Sequence, residues 1–483
     1  MLSLVWARLL VQTMGKEAYG LLLSFMAVAQ LGGLGDLGVS GAMGIRMMQY
    51  LAKGEDEAGR RFLTNARGVF IGLATAVMLA FVIFSPWLPG WFKFVPTAGT
   101  GSLPVLFMLG GVGAALLIVN GYFANLNSIY RNLVWPIIPS FFLTQFGMAG
   151  QWLLARQGAP LWGQYSMILM TSLAAAAVGI YILKISHAWL GDFTPIKFNP
   201  VEVRKLASTS FWVYLCALGN MVYVSTDQIL VNAGFGSDQV PAYRFNYKLC
   251  ELTVVLLGAA SYVAMPIIVQ RLLSKDDGEK SRGLGGLLQL QKLQAFAGSA
   301  CATFYLCFND VFIRVWQGPG FEASLALQTA FAMNLAITIA GDAAMQVRGR
   351  LDLAGTRLAG ITLGGTGLLN LLLSYIAMKS GHMAGIAAAT VVAQSAMSLV
   401  MSRSTCSMLG MFWPAWAIRS WLAPLVVVAL CALLRLWIAP DNLLHALLLF
   451  MGCLCLIVLL AFAVGIRREL IFAEWKQFRR STS

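Results

Sequence analysis

Residues 18–46 read AYGLLLSFMAVAQLGGLGDLGVSGAMGIR. Within them Gly33-Leu-Gly35-Asp-Leu-Gly38 spells G-x-G-x-x-G, and an acidic run follows at Glu55 to Glu57. That is the pattern of a dinucleotide-binding turn, which needs a strand before it and a βαβ unit around it. Here the preceding run, AYGLLLSFMAVAQ, is a membrane-span segment, so the nucleotide reading is set aside. The glycines at 32, 33, 35, 38, 41 and 44 are read instead as places where helices approach closely, although no strict G-x-x-x-G occurs among them. Asp36 remains. A carboxylate inside a span costs about 2.5–3.5 kcal/mol on the insertion scale unless it meets water or a partner. Two readings stay open: a residue of helix packing or of a cavity mouth, or a site coupling transport to protons or substrate.

The rest of the chain agrees with a membrane setting. Of 483 residues, 59% are hydrophobic and 11% are charged, and the mean hydropathy is +0.74. A soluble domain carries about 25% charge. Apolar windows of about 20 residues predict about fourteen spans. They fall near 2–14, 18–44, 66–87, 103–125, 132–155, 162–185, 206–232, 241–271, 287–309, 323–346, 355–378, 383–402, 414–438 and 443–466. If both termini face the cytoplasm, most of the 34 Lys and Arg lie on that side, as the positive-inside rule requires. The net charge of +14 then reflects basic loops against an anionic leaflet, and no nucleic-acid partner is expected. The first span is about 20 Å long by helical rise, against a core of about 30 Å. It is expected to be truncated, with a start lying upstream of Met1. No cleavable signal peptide is recognised at the start. The eight cysteines fall mostly in apolar runs, without C-x-x-C, and are expected to be core residues.

The chain repeats itself weakly. Ala18-Tyr19 opens the second span and Ala242-Tyr243 the eighth; Ala42-Met43 and Ala264-Met265 sit near the ends of the same spans. The loops that follow, KGEDEAGRR and KDDGEKSRG, stay in register. A fainter echo pairs GYFANLNSIYRNL from Gly121 with GDAAMQVRGRLDL from Gly341. The equivalent spans are six apart, so the halves run in the same direction about an axis along the membrane normal. The expected architecture is an all-α polytopic membrane protein with two six-helix lobes facing a cleft, plus two C-terminal helices. Its parts are an N-terminal lobe 1–186, a cytoplasmic linker 187–205, a C-terminal lobe 206–404, helices 13 and 14 at 405–466, and a basic tail 467–483.

The stretch RLLVQTMGKEAYGLLLSFMAVAQLGGLGDLGVSGAM resembles the N-terminal pattern of Wzx-type polysaccharide-lipid flippases. These belong to the multidrug/oligosaccharidyl-lipid/polysaccharide exporter superfamily. STDQILVNAGFGSDQVPAYRFNYKL from Ser225, VFIRVWQGPGFEAS from Val311 and GHMAGIAAATVVAQ from Gly381 are similar to later segments of the same pattern. The resemblance spans nearly the whole chain, with loose motifs. It implies flipping of a polyprenyl-pyrophosphate-linked oligosaccharide across the inner membrane for surface polysaccharide or lipopolysaccharide synthesis. The implied partners are that lipid-linked substrate, membrane lipids and other polysaccharide-assembly membrane proteins.

The intramembrane charges give this reading residues. Arg244, Lys248 and Glu251 share one face of the eighth span, with Lys248 about 10 Å from its start by helical rise. Asp227 in the seventh span lies at a similar depth. Either Asp227 pairs with Arg244 or Lys248 structurally, or the two cations bind an anionic group, which the resemblance makes a pyrophosphate. Arg131 and Arg348, at the predicted cytoplasmic ends of spans 4 and 10, are either a cationic mouth or ordinary positive-inside residues. No nucleophile–base set, no P-loop and no clustered histidines appear, so no enzyme, cofactor or metal is expected. The rivals are a drug or cation antiporter of the same superfamily, whose cleft should be acidic or apolar, and a polysaccharide polymerase, for which the predicted outer loops are short.

Overall fold

The computed structural model describes residues 2–53, 55–96, 99–129, 134–186, 200–274, 276–417, 423–438 and 443–466. Every regular element among them is helical, and the described residues of the predicted spans are almost all helical. Eight helical stretches are long and apolar enough to cross a bilayer by length and composition. Large apolar side chains such as Phe146, Met170, Leu256, Val315 and Leu368 are exposed, as a lipid-facing surface requires. The chain is an all-α polytopic membrane protein.

It forms two compact units, Met1–Pro241 and Ala242–Ser483. The first holds α1 (Leu2–Met14), α2 (Lys16–Gly32), a 3-10 turn (Gly33–Asp36), α3 (Val39–Lys53), α4 (Asp56–Phe84), α5 (Leu88–Trp91), α6 (Leu103–Ile129), α7 (Val134–Arg156), α8 (Leu161–Ser186) and α9 (Pro200–Phe235). The second span, expected as one helix over 18–44, is broken between α2 and α3. Leu37 and Gly38 both take positive φ, at 51° and 75°. Asp36 holds the break: its Oδ1 accepts from the Gly38 N–H at 2.8 Å and its Oδ2 accepts from the Ser40 hydroxyl. Short polar side chains favour such local capping over a continuing helix.

The glycines let this broken segment sink between its neighbours. An added Cβ would lie 2.6 Å from Ala114 Cβ at Gly32, 2.1 Å from Val77 Cγ2 at Gly35, 2.4 Å from the Ser210 carbonyl at Gly38 and 2.5 Å from Val213 Cγ1 at Gly41. The segment is thus pressed against α6, α4 and α9. The seventh predicted span, α9, packs against α2 and α3. Residues 187–199 of the expected linker and the tail 467–483 lie outside the described residues.

The second unit holds α10 (Gln239–Leu272, beginning just before the division), α11 (Asp277–Gln317), α12 (Leu325–Leu351), α13 (Leu353–Lys379), α14 (Met383–Met408), α15 (Trp413–Ala417), α16 (Ala423–Trp437) and α17 (Leu443–Ile466). Asp276 caps α11 by accepting from the Gly278 and Glu279 N–H groups at 3.2 Å each. At 41 residues, α11 extends about 62 Å by helical rise, so its polar first turns outrun the bilayer core.

The internal repeat is visible in the packing. Met43 is fully buried among α3, α4 and α6 side chains including Phe62, Phe70 and Ile118. Met265 is equally buried among Leu287, Ala343, Val347 and Trp416 of the second unit. Each methionine occupies the centre of its own core.

Candidate functional site

The first half of α10 has two faces of opposite character. One is locked into its own unit. Tyr243 and Tyr247 pack on the Phe331 ring with centroids 5.1 and 5.2 Å apart. Asn246 donates to the Phe321 carbonyl at 2.7 Å and accepts from Asn309 Nδ2 at 2.6 Å, fully buried. Cys250 is buried against the Phe331 carbonyl. Helical period then turns positions 244, 248 and 251 away from that packed face.

Those positions hold the predicted stripe. Arg244 Nη2 donates to Glu251 Oε1 at 3.0 Å and lies 2.9 Å from Oε2; Lys248 Nζ donates to Oε2 at 3.0 Å. Side-chain exposures are 21% for each cation and 32% for the carboxylate, so the group is sheltered but reachable. Two cations share one anion, leaving a formal excess of +1. Both cations pair with Glu251, on their own helix; the sequence reading left Asp227 open as a structural partner of either. Asp227 is buried on α9, in the other compact unit, within the polar run Ser225-Thr226-Asp227. Lys248 lies about 14 Å along α10 from Gln239 by helical rise.

The remaining predicted residues are placed differently. Asp36 serves the break between α2 and α3. Arg348, nearly buried, donates from Nη1 to Asp352 Oδ1 at 2.8 Å and from Nε to Ser404 Oγ at 2.9 Å. Asp352 caps α13 by accepting from the Gly355 N–H. Its carboxyl is held below the usual range, first by the Arg348 hydrogen bond and then by the Gly355 N–H. Arg348 therefore secures the corner between α12 and α13 and ties it to α14. Arg131 lies outside the described residues.

Two polar networks escaped the sequence reading. Arg435 on α16 donates to Asp310 Oδ2 at 2.6 Å and to Gln328 Oε1 at 2.8 Å; Gln328 donates to Asp310 Oδ1 at 2.6 Å. The Arg435 side chain is only 6% exposed. In the second network Gln294 on α11 donates to Ser261 on α10 and, at 3.0 Å, to Asp342 on α12, which also accepts from Gln346 at 3.0 Å. The available signal was Asp310 and Arg435 inside apolar runs; an intramembrane ion needs a partner. Among the described residues no group of His, Cys, Asp and Glu could hold a metal.

No protein-family model matches the chain, and no curated protein matches it. Among solved structures it is similar to the lipid II flippase MurJ in an inward closed conformation. The identity is 14%, 97% of this chain and 96% of that chain are covered, and the TM-score is 0.68. It is also similar to an inward-facing multidrug resistance MATE family transporter of the MOP superfamily, at 11% identity, 84% and 93% coverage and TM-score 0.67. A MOP superfamily transporter from Pyrococcus furiosus, described by a binding pocket of reverse polarity that suggests a different function, is similar at 14% identity, 84% and 91% coverage and TM-score 0.55. At these identities the likeness establishes the fold, which is that of the MOP transporters.

Proposed function

We propose that the protein is a flippase that moves a polyprenyl-pyrophosphate-linked oligosaccharide across the cytoplasmic membrane by alternating access, with both termini cytoplasmic. The observation that carries this reading is the Arg244–Lys248–Glu251 group. A doubly basic, half-sheltered stripe in an apolar helix suits a pyrophosphate, which can displace Glu251 and take the guanidinium in bidentate fashion. A site for an organic cation would put the excess charge the other way. The coverage adds support. The likeness to the lipid II flippase extends over 97% of the chain and that to the multidrug transporter over 84%. The difference, 13% of 483 residues or about 63, is close to the length of the 405–466 segment.

Drug export is the second reading, favoured by the nearly equal fold likeness, TM-score 0.67 against 0.68. Proteoliposomes separate the two. Head-group translocation of a polyprenyl-pyrophosphate-linked sugar should require the protein and should be lost in Arg244→Ala and Lys248→Ala at normal membrane abundance. Efflux of ethidium without lipid translocation would replace the flippase with an exporter.

A further inference from the structure

The first unit contains a cavity of about 440 Å³ walled by α2, α6, α7 and α8. Its volume falls in the range of about 300–1,000 Å³ usual for small-ligand sites. Its polar lining includes Asn120, Asn127, Thr144, Thr171 and Ser172, with Phe123 supplying an aromatic face; among the described residues no charged side chain lines it. Asn127 is the informative residue. It is 4% exposed, and its Nδ2 donates back to the Phe123 carbonyl at 3.0 Å, which fixes the amide. Among the described residues its buried Oδ1 has no hydrogen-bond partner. A buried acceptor is costly unless something donates to it. Hydrocarbon cannot donate, and an anionic head group would only repel a carbonyl oxygen.

We propose that this cavity is a subsite for an uncharged, hydroxyl-bearing ring, a sugar residue of the substrate's glycan. This rests on the flippase reading and assigns the sugar to neutral amides and hydroxyls of the first unit. A sugar hydroxyl donates to Asn127 Oδ1, Thr144 and Ser172 exchange further bonds with the ring, and Phe123 covers an apolar face of it. The position suits loading. The cavity is lined by the last turns of α6 and the first half of α7, and so lies toward the end where α6 hands over to α7. The distribution of Lys and Arg predicts that end to be cytoplasmic.

The test is saturation-transfer NMR on the full chain in lipid nanodiscs. Its probes are methyl β-D-glucoside, methyl β-N-acetyl-D-glucosaminide and inorganic pyrophosphate. At least one glycoside should bind the unaltered protein. Asn127→Leu removes the acceptor and fills the space, so glycoside binding should weaken at least about tenfold, while pyrophosphate binding persists and reports an intact fold. Thr144→Val, a milder change at the same wall, should weaken it about two- to tenfold and covers the case in which Asn127→Leu does not fold. Absence of glycoside binding, or binding indifferent to both substitutions, overturns the proposal and leaves an apolar groove. A proteoliposome assay separates this failure from that of the flippase reading. Glycoside binding lost on substitution, in a protein that flips no lipid-linked sugar, removes the flippase and keeps the sugar site. Flipping that is unaffected by Asn127→Leu removes the sugar site and keeps the flippase.

Discussion

Replacing Arg435 by Leu should loosen α16 from the rest of its unit. The guanidinium is 6% exposed and is the cation that holds Asp310, itself 16% exposed. Removing one partner of a buried pair costs about 3–5 kcal/mol, because the other charge stays buried without compensation. The low end applies here, since Gln328 still donates to Asp310 at 2.6 Å. For a unit of some 240 residues, about 3 kcal/mol corresponds to a fall of about 6–12 °C in apparent Tm. Thermal scanning by intrinsic tryptophan fluorescence in nanodiscs reads that shift. A second readout is local. Cys431 lies one helical turn before Arg435, fully buried, with its Sγ 3.8 Å from that of Cys307. If α16 detaches, Cys431 should become reactive to a membrane-permeant maleimide, scored by mass spectrometry. Arg435→Leu combined with Asp310→Leu removes both charges and should recover most of the Tm and of the thiol protection. An unchanged Tm and an unreactive Cys431 in the single variant would refute the reasoning. So would a double variant weaker than either single.

Glu251→Gln should tighten binding of polyprenyl pyrophosphate, because the carboxylate that competes for Arg244 and Lys248 is gone; equal affinity in an equilibrium binding assay counts against the stripe as an anion site. Gly38→Ala should cost at least about 1–2 kcal/mol of stability, since it combines φ of 75° with a Cβ 2.4 Å from the Ser210 carbonyl. Gly72→Ala, in an open helical position with nothing within 4 Å, should be neutral or slightly stabilising in the same melt. Asp352→Asn should lower the Tm at pH 7. The folded carboxyl titrates below its unfolded value of about 3.9, so its contribution is present above that value and lost as pH falls through the depressed one. The gap to the unaltered protein should therefore close as pH falls below about 4, and a gap constant from pH 7 to pH 3 contradicts the pairing with Arg348.

Hydropathy alone placed the helices, because a bilayer allows so few ways to satisfy a backbone. What it could not place was the break inside 18–44. Gly33 to Gly38 reads as apolar and span-like, and only the hydrogen bonds that Asp36 accepts from the Gly38 N–H and the Ser40 hydroxyl show why the helix stops there. The face carrying Arg244, Lys248 and Glu251 was legible as spacing. The identity of the partner carboxylate was not, since an i,i+7 reach depends on how the Arg244 side chain lies along the helix. Arg435 and Asp310 are 125 positions apart, and nothing local in either run announces the other. Asn127 was invisible for a further reason: an asparagine whose carbonyl is buried unbonded beside a cavity has the same sequence surroundings as one that is bonded.

The two copies of the repeat diverge at one position with lasting effect. Tyr19 and Tyr243 are both buried, and the residues after them are Gly20 and Arg244. An added Cβ at Gly20 would sit 1.7 Å from the Ser237 carbonyl, so that copy has no room for any side chain. The other copy carries a long cation. Neither half can stand in for its sibling: a tandem of two first halves would lack the charge, and a tandem of two second halves would have no tight seat for the loop at Ser237.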